Sequence, residues 1–334
     1  MKLVNLTAAA AIALGVLSAG VAQAETLKVS CFLPPNHTFN KVLTQWGEEL
    51  KQKTGGKLDI ELFPAGQLGP PNRQFQLVTS GAADVAVILV SATPGRFTMS
   101  ELAGEPLVFP AGGKDKDSAA TSRRLTELAP KFLAKEYAGT HILWMAVTPP
   151  LKLHLRSVNP ENLSVFKGLK IRYAGTIWQQ MLEAMGAAPV PVPPAETVDA
   201  MSKGVVDGAA FPYEATKSFD LGPVTKYSME PGLSSAAFAV VMSDAAYNRL
   251  TPDMQKLVDE TTGPQLAASF GKAWDAAEAD GRQYMIDSGV TIVTLKDDQI
   301  AKLNTLFKPI VDDAVKVVAD TGKPAAEFLS AYTK

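Results

Sequence analysis

Apolar positions along this chain switch back and forth between a period of two and a period near 3.6, which predicts strands alternating with helices. The stretch "LKVSCFL" (27–33) reads as a strand that stops at Pro34-Pro35. Beyond it Phe39, Val42, Leu43, Trp46 and Leu50 recur at helical spacing, with Asn36 or Thr38 as the cap and Gly55-Gly56 as the stop. "KLDIELFP" (57–64) is the next strand, a helix covers about residues 72–80, and "SGAADVAVILV" (80–90) turns from helix into strand through Gly81. The same grammar returns in "DAMSKGVVDGAAF" (199–211), again with Gly, two residues and Asp between helix and strand. Gly suits any helix C-terminus, yet two copies about 120 residues apart point to two similarly built lobes of an α/β fold.

Residues 251–288 form the longest helical candidate, with Thr251 as N-cap and Pro252 as first helical residue. Uninterrupted, it would reach about 55 Å, long enough to brace both lobes. Gly263-Pro264 predicts a kink or a break into two helices. From Asp297 onward two closing helices are expected, with Leu303, Phe307, Ile310 and Val311 as an apolar stripe.

The start of the chain has a different pattern. Lys2, the apolar run Leu6–Val21 and Ala22-Gln23-Ala24 read as a secretory signal cleaved after Ala24. The run is too short for a durable span, which needs about 20 apolar residues, and Cys31 follows no lipobox, so a soluble periplasmic protein is expected. A single cysteine excludes an intramolecular disulfide. With Lys2 removed, 31 basic against 34 acidic residues leave a net charge of −3, which disfavours nucleic acid as a partner.

Catalytic signatures are scarce. The chain holds no G-x-S-x-G, H-E-x-x-H, Walker loop or G-x-G-x-x-G, and its three histidines, His37, His141 and His154, lack metal-ligand spacing. No catalytic residue, metal or cofactor is expected. Arg172 in "GLKIRYAG" (168–175) is the one group that calls for a partner. It sits near the C-terminal end of a strand, where open α/β sheets bind ligands, and precedes a helix whose first turn favours an anion. Taken alone, the stretch reads as an ordinary exposed arginine.

The wider set of motifs changes that. "GGKLDIELFPAGQLG" (55–69), "LVTSGAADVAV" (77–87), "TPGRF" (93–97), "FKGLKIRYAG" (166–175), "MGAAPVPVPPAE" (185–196) and "KGVVDGAAFP" (203–212) stand in order along residues 25–334. Together they resemble the DctP-type solute-binding proteins of TRAP (tripartite ATP-independent periplasmic) transporters. The resemblance implies a two-lobed, hinged periplasmic-binding-protein-like fold with a long lobe-spanning helix. Lobe I would be residues 25–147 and 237–276, and lobe II residues 148–236 and 277–334. It further implies an organic-acid ligand and TRAP membrane subunits as partners. An exported hydrolase with a triad assembled only in space, and a sensor for a receptor, are the alternatives.

By the same resemblance Arg172 forms the salt bridge with the ligand carboxylate, and a planar guanidinium suits that task. The residue before Pro in "DGAAFP" lines the pocket; here it is Phe211, where sialic-acid-binding relatives carry asparagine. With Phe32 and Tyr213 as further aromatic candidates, a small or aromatic monocarboxylate is favoured, while Trp178 reads as core. A second contact is expected from "LKLHLR" (151–156), whose register leaves both Lys152 and His154 as candidates. His37 either donates to the ligand or caps a helix, and Arg96 and Phe97 hold a loop.

Overall fold

The structure, a computed structural model, describes residues 24–106 and 117–334. The expected signal segment, Ala24 apart, lies outside the described residues.

Strands sort into two sheets. The first holds β1 (Glu25–Ser30), β2 (Leu58–Phe63), β3 (Val85–Leu89), β4 (Thr140–Val147) and β10 (Ala237–Ser243), ordered β2-β1-β3-β10-β4. The second holds β5 (Leu151–Leu155), β6 (Lys170–Tyr173), β7 (Ala188–Pro191), β8 (Gly208–Phe211), β9 (Tyr227–Ser234) and β11 (Thr291–Thr294), ordered β11-β9-β5-β8-β6-β7. β1 is parallel to β2 and β3, and β6 is parallel to β7 and β8. β10 comes back from the second sheet to run antiparallel between β3 and β4.

The run "VAVILV" shows no alternation because both faces of β3 are covered. Val85, Val87 and Leu89 enter one core with Phe39, Leu43 and Trp46, while Ala86, Ile88 and Val90 enter another with Leu125 and Phe132. The repeated Gly-x-x-Asp turn has the same hydrogen bonds in both lobes. Gly81 and Gly204 take left-handed φ values of 77° and 70°, which glycine adopts without strain. Asp84 then accepts the Lys28 N–H at 2.8 Å, and Asp207 accepts the Lys170 N–H at 2.9 Å. Each aspartate thereby ties the new strand to its parallel neighbour, β3 to β1 and β8 to β6.

The chain crosses between sheets at residues 148–150 and 235–236, and these crossovers lie side by side. Thr148 N–H donates to the Ala236 carbonyl and Ala236 N–H to the Thr148 hydroxyl, both at 2.9 Å. The long helical candidate is broken as expected: Pro252–Thr261 ends at Thr262 (φ −120°, ψ −159°), and Gly263–Asp287 follows. Its 25 residues reach about 37 Å, and they still join the lobes. Ala267, Phe270 and Trp274 pack in the first-lobe core, whereas Met285 packs with Tyr213 and Val290. The C-terminus departs from the expected division. Phe328 and Tyr332, in the last helix (Ala325–Tyr332), pack with Leu125 and Phe132 of the first lobe, and Lys323 pairs with Glu136 at 2.9 Å. An apolar stripe identifies a buried face but not which lobe buries it.

Glu105 borders the crossover, in a small cavity with Thr148, Pro150 and Ser235. It is 3% exposed, and neither carboxyl oxygen has a hydrogen-bond partner among the described residues. Burial, and then repulsion from Glu101, push its carboxyl from 4.5 up to about 9. The folded state thus keeps a proton that the unfolded chain releases, so stability is full below pH 4.5 and declines as pH rises toward 9. Glu105→Gln is expected to raise the Tm at pH 8 by about 2–4 °C, the shift for about 1 kcal/mol. In calorimetry at pH 4 the difference should vanish.

Candidate functional site

Arg172 is buried, at 2% exposure. Strand pairing explains how the fold holds it. The β6–β8 ladder ends at Arg172↔Ala209, which leaves the Ala210 carbonyl free to accept from Arg172 Nη1 at 3.1 Å. Nε donates to the Val192 carbonyl, just beyond β7, at 3.0 Å. The Phe211 ring supports the guanidinium at 4.1 Å from centroid to Cζ, a cation–π contact. Among the described residues no carboxylate partners it. Burial lowers its pKa to about 9, so it stays protonated at neutral pH. Two of five N–H donors are used, and the guanidinium borders a cavity.

That cavity measures about 60 Å³. On the scale where one water needs about 10–15 Å³, it has room for the bulk of a few waters. The first lobe contributes Phe32, Leu89 and Phe238, and the second contributes Ala174, Phe211 and Phe219, so the lining is mostly apolar. A wider cleft of about 350 Å³ meets it at Arg172 and is rimmed by prolines of both lobes, Pro70, Pro71 and Pro94 facing Pro191, Pro193 and Pro194. The lobes approach closely here. At Gly175 (φ 90°) an added Cβ would sit 2.5 Å from Ser91 Cβ of the other lobe, so a side chain would hold the cleft apart.

Glu214 ties the lobes at the far wall of the same cavity. Its carboxylate accepts from His37 Nε2 at 3.1 Å, the Thr38 hydroxyl at 3.3 Å, the Ser218 hydroxyl at 2.8 Å and Trp274 Nε1 at 3.3 Å. Burial raises its pKa, but His37, Ser218 and Trp274 outweigh that and hold it at about 2. His37 Nδ1 accepts the Phe39 N–H at 3.2 Å, which puts the ring proton on Nε2, aimed at Glu214.

The sequence model for bacterial extracellular solute-binding protein, family 7, matches residues 29–317. The chain belongs to that family. A TRAP solute-binding protein of Rhodoferax ferrireducens, in complex with copurified benzoate, superposes with a TM-score of 0.86 at 27% identity, covering 93% of this chain and 97% of that one. One from Bordetella bronchiseptica, with bound (R)- and (S)-mandelate, has a TM-score of 0.84 at 27% identity, covering 92% and 98%. The C4-dicarboxylate-binding periplasmic protein DctP of Rhodobacter capsulatus is 23% identical over 330 residues, 95% of this chain and 94% of the relative.

Of the residues singled out from sequence, this family 7 protein brings Arg172, Phe211, Phe32 and His37 to one cavity. His37 also caps the first helix, Thr38–Lys53, in place of Asn36 or Thr38. Lys152, His154 and Tyr213 lie elsewhere. Lys152 pairs with Glu278 of the long helix and sits 4.9 Å from the Tyr213 ring centroid. His154 bonds Ser228 Oγ at 2.8 Å and the Phe211 carbonyl at 3.1 Å, and burial lowers its pKa to about 3. The Tyr213 hydroxyl donates to Glu230 at 2.9 Å. The face of β5 that sequence assigned to the ligand is instead covered by the long helix and by β8–β9 groups. Trp178 is core, as expected, and so is Phe97, with Arg96 over the Phe75 ring at 3.9 Å. Sequence reasoning missed Glu214, Phe238 and Trp274. Tyr213-Glu214, directly after the "DGAAFP" motif, was the one available signal for Glu214.

Removing the Lys152 charge strands the Glu278 carboxylate, which also accepts the Glu214 N–H at 2.9 Å. Lys152→Met is expected to destabilise the protein by about 1–3 kcal/mol. The double variant Lys152→Met/Glu278→Gln should recover most of that loss in urea unfolding, because the amide still accepts the N–H without leaving a charge.

Proposed function

We propose that this protein captures a small or single-ring organic monocarboxylate in the periplasm and delivers it to TRAP membrane subunits, with the carboxylate held by Arg172. One observation carries the reading: a buried guanidinium with no carboxylate partner among the described residues opens onto a mostly apolar cavity enclosed by both lobes. A bidentate carboxylate would satisfy its free donors, and the aromatic wall suits a planar or apolar remainder. Benzoate and mandelate, the ligands of the two solved relatives, are single-ring monocarboxylates. Phe211 supports the guanidinium and offers no side-chain hydrogen bond to a sugar hydroxyl.

On this reading residues 1–24 direct export and are removed. Lobe I comprises 25–147 and 237–276, and lobe II comprises 148–236 and 277–334, with the last helix docked back onto lobe I. The paired crossovers at Thr148 and Ala236 act as the hinge. The open and closed forms exchange, and an acid that touches both lobes favours the closed one by its differential affinity. The protein binds its acid without converting it.

Titration calorimetry with benzoate tests the reading. One equivalent is expected to bind, and mass spectrometry should recover it unchanged. Arg172→Ala should weaken binding by about 30-fold or more, since losing one partner of a buried charge pair costs about 2–5 kcal/mol. Arg172→Lys should also bind poorly, because an ammonium lacks the two-pronged geometry. Equal affinity in wild type and Arg172→Ala would remove Arg172 from the role.

A further inference from the structure

Glu214 lines the same cavity as Arg172 and is 3% exposed. Five donors reach its two oxygens. Oε1 accepts from the Thr38 N–H at 3.5 Å, the Thr38 hydroxyl at 3.3 Å and the Ser218 hydroxyl at 2.8 Å. Oε2 accepts from His37 Nε2 at 3.1 Å and Trp274 Nε1 at 3.3 Å. A carboxylate has about four lone-pair sites, so these are filled. The donors belong to the start of the first helix, the helix Tyr213–Ser218 and the long helix. Held from three sides, the carboxylate has no freedom to swing out of the cavity. His37 Nδ1 accepts the Phe39 N–H, so Nε2 is the ring atom that donates to Glu214.

The small cavity therefore has one fixed cation and one fixed anion. Its other polar side chains are His37 and Trp274, both of which donate to Glu214, and the hydroxyls of Ser91 and Thr148. We propose that Glu214 sets the charge of the ligand, so that the site takes an acid with one carboxylate and rejects one that carries a second. The proposal rests on the reading that Arg172 binds an organic acid. The first carboxylate neutralises Arg172 without facing another anion. A second one, confined in about 60 Å³ with Glu214, meets a like charge in a site that screens it poorly. It also finds the donors at that wall already committed to Glu214. Discrimination thus comes from a repulsive element as well as an attractive one.

Isosteric pairs separate charge from size. Isophthalate and 3-carbamoylbenzoate, and succinate and succinamate, differ by one carboxylate replaced with an amide. Calorimetry at pH 8 with these four and benzoate, on wild type and Glu214→Gln, gives the answer. Wild type is expected to prefer the amide of a pair by about 30-fold or more. In Glu214→Gln the preference should shrink to under about 5-fold, even where loss of the interlobe bonds weakens both members. A purely structural role for Glu214 would weaken both members equally and leave their ratio unchanged, which would overturn the proposal. So would wild type binding a dicarboxylate within about 3-fold of its amide, a result that needs no variant to fold. If benzoate binds but neither amide does, shape sets the limit and the proposal is likewise overturned. If benzoate and both amides all fail to bind, the acid-binding reading itself fails and takes the proposal with it.

Discussion

A buried guanidinium without an acidic partner among the described residues is the constraint around which the site is built. Burying an isolated charge is expensive unless polar groups replace the lost water. Arg172 recovers part of that cost from two backbone carbonyls and the face of Phe211. Both carbonyls are available only because strand pairing stops next to them, at Arg172↔Ala209 on one side and at Tyr173↔Pro191 on the other. The ends of β6, β7 and β8 thus create a cationic position that the sheet itself does not neutralise.

Closure has its own chemistry, separate from that cation. His37 and Thr38 reach across to Glu214, Gly175 lets Ser91 approach, and the two crossovers are hydrogen-bonded to each other at Thr148 and Ala236. Trp274 joins this network from the long helix, which also packs with Phe39 and Phe238 in the first lobe. The same helix continues along the second lobe to Met285. Cavity wall and lobe brace are therefore one element.

Sequence was a good guide wherever the determining interactions are local. The Gly-x-x-Asp turn was visible twice because its left-handed glycine is a local signal, although each aspartate bonds a neighbouring strand 56 or 37 residues away. Arg172 and Phe211 came from short motifs at strand ends. The failures share one cause. Alternation in "LKLHLR" correctly placed Lys152 and His154 on one face, but period two does not say what covers that face. The long helix brings Glu278 there, 126 residues away in the chain. Glu214 escaped notice because all its donors but Ser218 lie 60 or more residues away, beyond the reach of any spacing rule.

The amino-acid sequence by itself determined the α/β alternation, the repeated turn, the break before Gly263 and the presence of an arginine at a strand end, all consequences of backbone geometry and near-neighbour hydrogen bonds. Only the tertiary structure decided that this arginine is buried with no carboxylate partner among the described residues, that Lys152 pairs with Glu278 while His154 bonds Ser228 and Tyr213 bonds Glu230, and that Glu214 shares the cavity. Burial and charge pairing depend on which distant surfaces meet, and that is settled by how two lobes and one bridging helix pack.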